Sequence, residues 1–254
     1  MTAELRVTWA LMRRGLNEVL RVPGASIPGV LAPTIFLLGL SAVFSEAAQL
    51  PGYGTTDFTQ FIVPVSLLQG AGFTGAATGV NLARDIERGW FDRLLLAPAP
   101  RSVVLLGIVG SAALRCLLPV TFLLLVAFAL GVPWPGVGDL VVCILLVMGF
   151  ASAMACWGTV IALRFQTQQA APLMQAVAFS AVLFTTAYAP MDLLADWLQV
   201  IATINPTTLV IDAMRDGFIT TMSWHDIWTA VLAIAGMMIL FGLLAVRGMR
   251  RLGR

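Results

Sequence analysis

RDIERGWFDRLLLAPAPR, residues 84–101, is the one long charged segment between two very apolar stretches of the chain. It carries Arg84, Asp85, Glu87, Arg88, Asp92, Arg93 and Arg101. Charges at this density are too costly to lie in hydrocarbon, so the segment is expected to be a loop in water. Its flanks read as membrane spans, and this contrast decides the fold class. Within the loop, Trp90, Phe91, Leu94 and Leu95 form an apolar stripe at helical spacing. Arg88 and Asp92 are four residues apart and can pair on the wet side, and Pro98 and Pro100 end the helix. Such a helix either rests on lipid headgroups or docks a soluble partner.

Composition extends the same argument. The 254 residues are 59% hydrophobic and only 11% charged, with a mean hydropathy of +0.92. A soluble domain carries about 25% charged residues. A bilayer core about 30 Å thick is crossed by about 20 helical residues. Six runs meet that length, approximately Ile27 to Ser45, Phe58 to Leu82, Val103 to Leu130, Leu140 to Leu163, Ala171 to Ala189 and Ile227 to Val246. The expected fold is a single all-α polytopic membrane domain, residues 1–254.

Every one of the 15 basic residues is arginine. A nucleotide-binding P-loop needs a lysine on the phosphates, so the chain is not itself an ATPase. Cys116, Cys143 and Cys156 all fall inside expected spans and read as packing residues, with no disulfide or metal framework. No acid or histidine lies at depth to support an intramembrane enzyme. His225, the single histidine, is expected at the outer edge of the last span. No nucleic-acid partner is expected.

Ahead of the spans, residues 1–22 are expected to form an interfacial helix rather than a signal peptide. Leu5, Trp9, Met12, Leu16 and Val19 take one face, and Arg6, Arg13, Asn17 and Arg21 the other. Val22-Pro23-Gly24 breaks it. In the second span, Ala71, Gly75 and Gly79 form a small-residue ridge that lets another helix approach. Thr74, Thr78 and Asn81 lie on a neighbouring face. They serve either as back-bonded packing groups or as a stripe along a translocation path.

Arg115 sits about twelve residues into the third span, about 18 Å from its start and near mid-bilayer. A charge there needs partners or water, and Asn81 and Gln69 are candidates. It acts either as a lock between the second and third spans or as a contact for substrate. Pro119 is expected to kink the span. Gln175, Phe179, Val182 and Thr186 share a face of the fifth span, placed opposite the stripe of the second. Residues 192–224 are expected to form two short re-entrant outer helices. Asp192 caps the first, and Asn205-Pro206 starts the second with Asp212, Arg215 and Asp216 on its wet side.

With loops assigned alternately, every arginine except Arg115 and Arg215 falls on one side. The positive-inside rule places that side, both termini and the 84–101 loop in the cytoplasm.

The spacing Glu87-x-Gly89-x-x-Asp92-x-Leu94-x-x-x-Pro98-x-x-Arg101, with Asp85 ahead of it, resembles the signature loop of ABC-2 type exporter permeases. GWFDRLLLAPAPRSVVLLG is closest to the daunorubicin/doxorubicin-resistance branch. Trp90 departs from the small residue common in the wider family. The resemblance implies that residues 84–101 form a coupling helix seated in a groove of a separate ATP-hydrolysing subunit. Trp90, Phe91 and Leu94 would fill that groove, and Asp85, Glu87 and Arg93 would orient it. It further implies two ATPase copies that bind ATP and Mg, a second permease chain, identical or paralogous, and a bacterial cell membrane as the location. The cargo would be an amphiphile such as a drug, antibiotic or lipid. The alternative is a secondary transporter or channel needing no ATPase. Ion-driven carriers usually place acids within their spans, and every acid here is in a loop or at a span end.

Overall fold

The structure, a computed structural model, describes residues 3–21, 27–95 and 100–252. Among these, all regular structure is helical. The helices are α1 (Ala3–Arg21), α2 (Ile27–Val43), α3 (Phe58–Glu87), α4 (Trp90–Leu95), α5 (Arg101–Arg115), α6 (Leu117–Ala129), α7 (Val137–Phe165), α8 (Ala171–Leu183), α9 (Asp196–Ile204), α10 (Pro206–Ile219) and α11 (Trp224–Leu252). Pro98 and the expected break at Val22-Pro23-Gly24 lie outside the described residues.

Among the described residues, four stretches are long and apolar enough to cross a membrane: Phe58–Glu87, Arg101–Ala129, Val137–Phe165 and Trp224–Arg251. α2 has 17 residues and α8 only 13, shorter than the expected first and fifth spans. The fifth is cut because α8 ends at Leu183 and residues 184–189 run as bends. Backbone carbonyls in that stretch are satisfied by a side chain from α10 instead of by helix, as shown below.

α3 is the axis of the bundle, and α7 lies hardest against it. The small ridge makes that approach possible. A Cβ on Gly79 would stand 2.4 Å from the carbonyl carbon of Gly158, and one on Gly75 would stand 2.5 Å from the carbonyl oxygen of Ala151. Only glycine fits at either point. α1 packs along α5 by the same device, with Gly15 against Ser111 and Gly107 against Leu11. Met12 and Leu16 of α1 are half-buried, whereas Leu5 and Trp9 stay exposed.

α5 and α6 are one long helix interrupted at Cys116. Pro119 has no N–H to offer the carbonyl of Arg115, so the interruption falls on its N-terminal side. At the α10 end, Asn205 caps its helix as its sequence context predicts, its Oδ1 accepting from the Thr207 N–H at 3.0 Å. Its Nδ2 also donates to the carbonyls of Ala181 and Phe184, at 2.9 and 2.8 Å, fastening the end of α8 to α10. Asp192 does not cap α9. It lies in a short turn, Met191–Leu193, and the helix begins at Asp196 after Ala195.

Candidate functional site

α3 runs out at Glu87, and the chain turns at Gly89, whose φ of +69° favours glycine. That turn swings α4 back under the bundle. Phe91 is 1% exposed and Leu94 packs beside it, so the apolar stripe of α4 is anchored in the chain's own core. Arg14 of α1 reaches across to both carboxylate oxygens of Asp85 at 2.8 Å. The same guanidinium lies 3.5 Å from the centre of the Trp90 ring, a cation–π contact. Glu87 accepts from the backbone N–H of Gln168 at 2.9 Å and from its Nε2 at 2.6 Å. The turn before α4 is thereby tied to the α7–α8 connection. Arg88 and Arg93 are exposed.

Behind this bracket a cleft of about 50 Å³ leads inward. Arg14, Asp85 and Trp90, which touch one another, line it together with the Thr78–Arg115 pair and with Asn81 and Ser111. Arg115 is 7% exposed. One of its terminal nitrogens donates to the Thr78 hydroxyl, and its Nε has no hydrogen-bond partner among the described residues. Thr78 in turn donates to the Thr74 carbonyl at 3.0 Å, and Thr74 to the Gly70 carbonyl at 2.9 Å. The stripe is therefore back-bonded, and one of its hydroxyls doubles as the arginine's acceptor. Gln69, a candidate partner on sequence, donates to the Tyr188 hydroxyl at 2.8 Å instead.

The sequence pattern of ABC-2 type transporters matches residues 6–219. The chain belongs to the ABC-2 type transporter family. Over 241 residues the permease is 24% identical to a daunorubicin resistance ABC transporter permease protein of Streptomyces coeruleorubidus, covering 92% of this chain and 82% of the relative. A chain named as the transport permease ycf38 of Cyanophora paradoxa is 28% identical over 213 residues, 82% of this chain and 72% of its own. A chain named as a doxorubicin resistance ABC transporter permease of Mycobacterium tuberculosis is 25% identical over 232 residues, 88% and 81%. Membership makes this chain a transport permease and a multi-pass membrane protein, and implies an ABC ATPase partner.

The remaining sequence candidates do not converge in the permease. Phe179 stacks on Phe73 with ring centres 6.3 Å apart and sits 5.8 Å from Phe36, on a different side of α3 from the Arg115 cleft. Gln175 is half-buried in α8. Thr186 belongs to a third cluster, at the α10 end. There its hydroxyl donates to Asp212 at 2.6 Å, and its carbonyl accepts from Arg215 at 2.8 Å.

Arg215 is the main correction. Expected on the wet face of its helix, it is 8% exposed. It donates to Asp212 at 3.1 Å and to the Ala187 carbonyl at 3.4 Å, and lies 3.7 Å from the centre of the Phe61 ring. Its backbone acceptors are 28 and 29 residues away in sequence, on the non-helical stretch after α8, so no local pattern announces them. Arg14 and Gln168, which hold the α4 turn, were missed for the same reason.

Proposed function

We propose that the permease is the membrane-spanning subunit of an ATP-driven exporter, and that α4 is the handle by which a separate ATPase subunit moves it. Two permease chains, identical or paralogous, pack together, each seated on one ATPase copy that binds the ATP and Mg. The chain crosses a bacterial cell membrane six times, with α2 and α8 as its two short passes and α9 and α10 re-entering from the outside. Its termini and α4 are cytoplasmic. The cargo is an amphiphile, a drug, antibiotic or lipid. The names of relatives that carry resistance to daunorubicin and doxorubicin support this class.

The supporting observation is how α4 is fastened. Phe91 is buried in the bundle, Arg14 brackets Trp90 and Asp85, and Glu87 grips Gln168, while Arg88 and Arg93 are left exposed. A push on α4 is therefore felt at once by α1, α3 and the α7–α8 connection. Asp85, Glu87, Gly89, Trp90, Phe91 and Leu94 transmit the motion. Arg88 and Arg93 meet the ATPase, and Asp92, Pro98 and Arg101 complete the segment. ATP drives transport by binding the two arrangements of the complex unequally.

The test is capture of the cognate ATPase by the detergent-solubilised permease, together with the hydrolysis rate of the complex. The double reversal Arg88→Glu, Arg93→Glu is expected to lower capture at least tenfold while the permease still folds. Unchanged capture and unchanged stimulation would reject α4 as the handle. Export by the permease alone in vesicles, on an ion gradient without nucleotide, would reject the ATP-driven mechanism.

A further inference from the structure

The geometry points to the cleft behind α4 as a binding site for the anionic headgroup of an amphiphile, a carboxylate or phosphate on an apolar tail, with Arg115 as its counter-ion. The argument begins with charge. A guanidinium stays protonated at any depth and has five N–H donors to satisfy. Among the described residues Arg115, 7% exposed, has one acceptor, the Thr78 hydroxyl, and its Nε has none. Among the described residues the one acid lining the cleft is Asp85, and both its oxygens are held by Arg14 at 2.8 Å. The cleft thus carries two arginines against one carboxylate, and the surplus positive charge is that of Arg115.

Shape and chemistry agree with that surplus. About 50 Å³ holds roughly four water-sized groups, the scale of a carboxylate or a phosphate. The Asn81 amide lines the same cleft and offers further donors, and Leu11, Leu82, Leu94 and Ile108 supply apolar wall for the first carbons of a tail. Water alone could hydrate the arginine, but water does not neutralise it. A monoanion does both, and it does so where the effective dielectric is low and the attraction strong.

The mouth of the cleft is the bracket that fastens α4. Arg14, Asp85 and Trp90 close it, and they come from α1, α3 and α4. Displacing α4 separates Trp90 from Arg14 and opens the route to Arg115. This link between door and handle rests on the function proposed above. The anion site itself does not.

The experiment uses the full-length permease in nanodiscs of phosphatidylcholine, without ATPase or nucleotide, titrated with radiolabelled dodecyl phosphate. Saturable binding is expected, at least tenfold weaker in Arg115→Gln and partly restored in Arg115→Lys. Asn81→Leu, which keeps the arginine, is expected to weaken binding several-fold, and it serves if Arg115→Gln does not fold. Dodecyl maltoside, the neutral counterpart, should not compete, and inorganic phosphate should compete at least a hundredfold more weakly than dodecyl phosphate. Equal binding by Arg115→Gln, or equal competition by dodecyl maltoside, would overturn the site. Inorganic phosphate competing as well as dodecyl phosphate would overturn the amphiphile in favour of a free anion. Because no ATPase is present, either failure leaves the role of α4 untouched, and loss of ATPase capture leaves this site untouched.

Discussion

Arg115 and Arg215 belong to the same bundle, toward its α4 end and its α10 end, and are buried to nearly the same degree, 7% and 8% exposed. The Nε of each has no hydrogen-bond partner among the described residues, but their surroundings otherwise differ. Arg215 has a carboxylate, two backbone carbonyls, a hydroxyl and an aromatic face around it. Arg115 has one hydroxyl and a cleft. A buried charge surrounded by acceptors is a structural lock, and one left short of them beside a cleft is positioned to act on something else. Burial alone does not separate the two cases. The count of acceptors does.

The largest effect should come from the lock. Arg215→Ala leaves Asp212 without its counter-ion and the carbonyls of Thr186 and Ala187 without a donor, at the point where α8 has already given up helical bonding. Breaking such a pair from one side costs on the order of 3 kcal/mol. In a chain of this length that lowers the thermal midpoint in detergent by about 10 °C. Arg215→Lys should recover less than half of this, because an ammonium cannot fork between a carboxylate and two carbonyls. A loss below about 1 kcal/mol would mean that Arg215 is no lock and that the contrast with Arg115 fails.

The second effect should have the opposite sign. Arg115→Met replaces an under-satisfied charge by an apolar side chain of similar length. Thr78 keeps its bond to the Thr74 carbonyl and is not orphaned. Removing a buried charge that lacks compensation stabilises by about 1 kcal/mol. The expected result is a thermal midpoint equal to or above that of the unsubstituted permease, with export lost. A midpoint several degrees lower would make Arg115 a second lock and remove the reason to look for a ligand.

The two arginines were not equally legible in sequence. Arg115 stands out because it interrupts an apolar run at a depth that can be counted in residues. Arg215 is camouflaged by Asp212 and Asp216, which make its helix face look wet, while its decisive acceptors lie on a distant loop. The same distinction runs through the fold. α3, α5–α6, α7 and α11 follow from apolar length, the α3–α7 seam from the spacing of Gly75 and Gly79, and the start of α10 from Asn205-Pro206, all of them local signals. The early end of α8 is settled by tertiary partners, whereas Asp192 is taken up by the local Met191–Leu193 turn that precedes α9. At the candidate site, the stripe of Trp90, Phe91 and Leu94 was readable, but its direction was not. A stripe says that a helix has an apolar side, and whether that side faces its own bundle or another protein depends on what α1 and α5 leave uncovered.

The smallest effect concerns the door between the two functions. Arg14→Gln removes an ion pair and a cation–π contact that are partly open to solvent, with Arg14 42% and Asp85 17% exposed at the side chain. Partly exposed pairs of this kind are worth only about 0.5–1 kcal/mol. Salt screens them, since the Debye length falls to about 3 Å at 1 M. Raising the salt concentration should therefore cost the unsubstituted permease a few tenths of a kcal/mol more than Arg14→Gln. The functional readout should be larger than the energetic one. In Asn81→Cys the new thiol lines the cleft, whereas Cys116, Cys143 and Cys156 are buried and slow to react. Adding Arg14→Gln should speed labelling of that thiol by a membrane-impermeant reagent several-fold, because the mouth loses its latch. If labelling stays slow, the bracket does not close the cleft, and Arg115 is sealed from the α4 side as firmly as Arg215 is sealed in its lock.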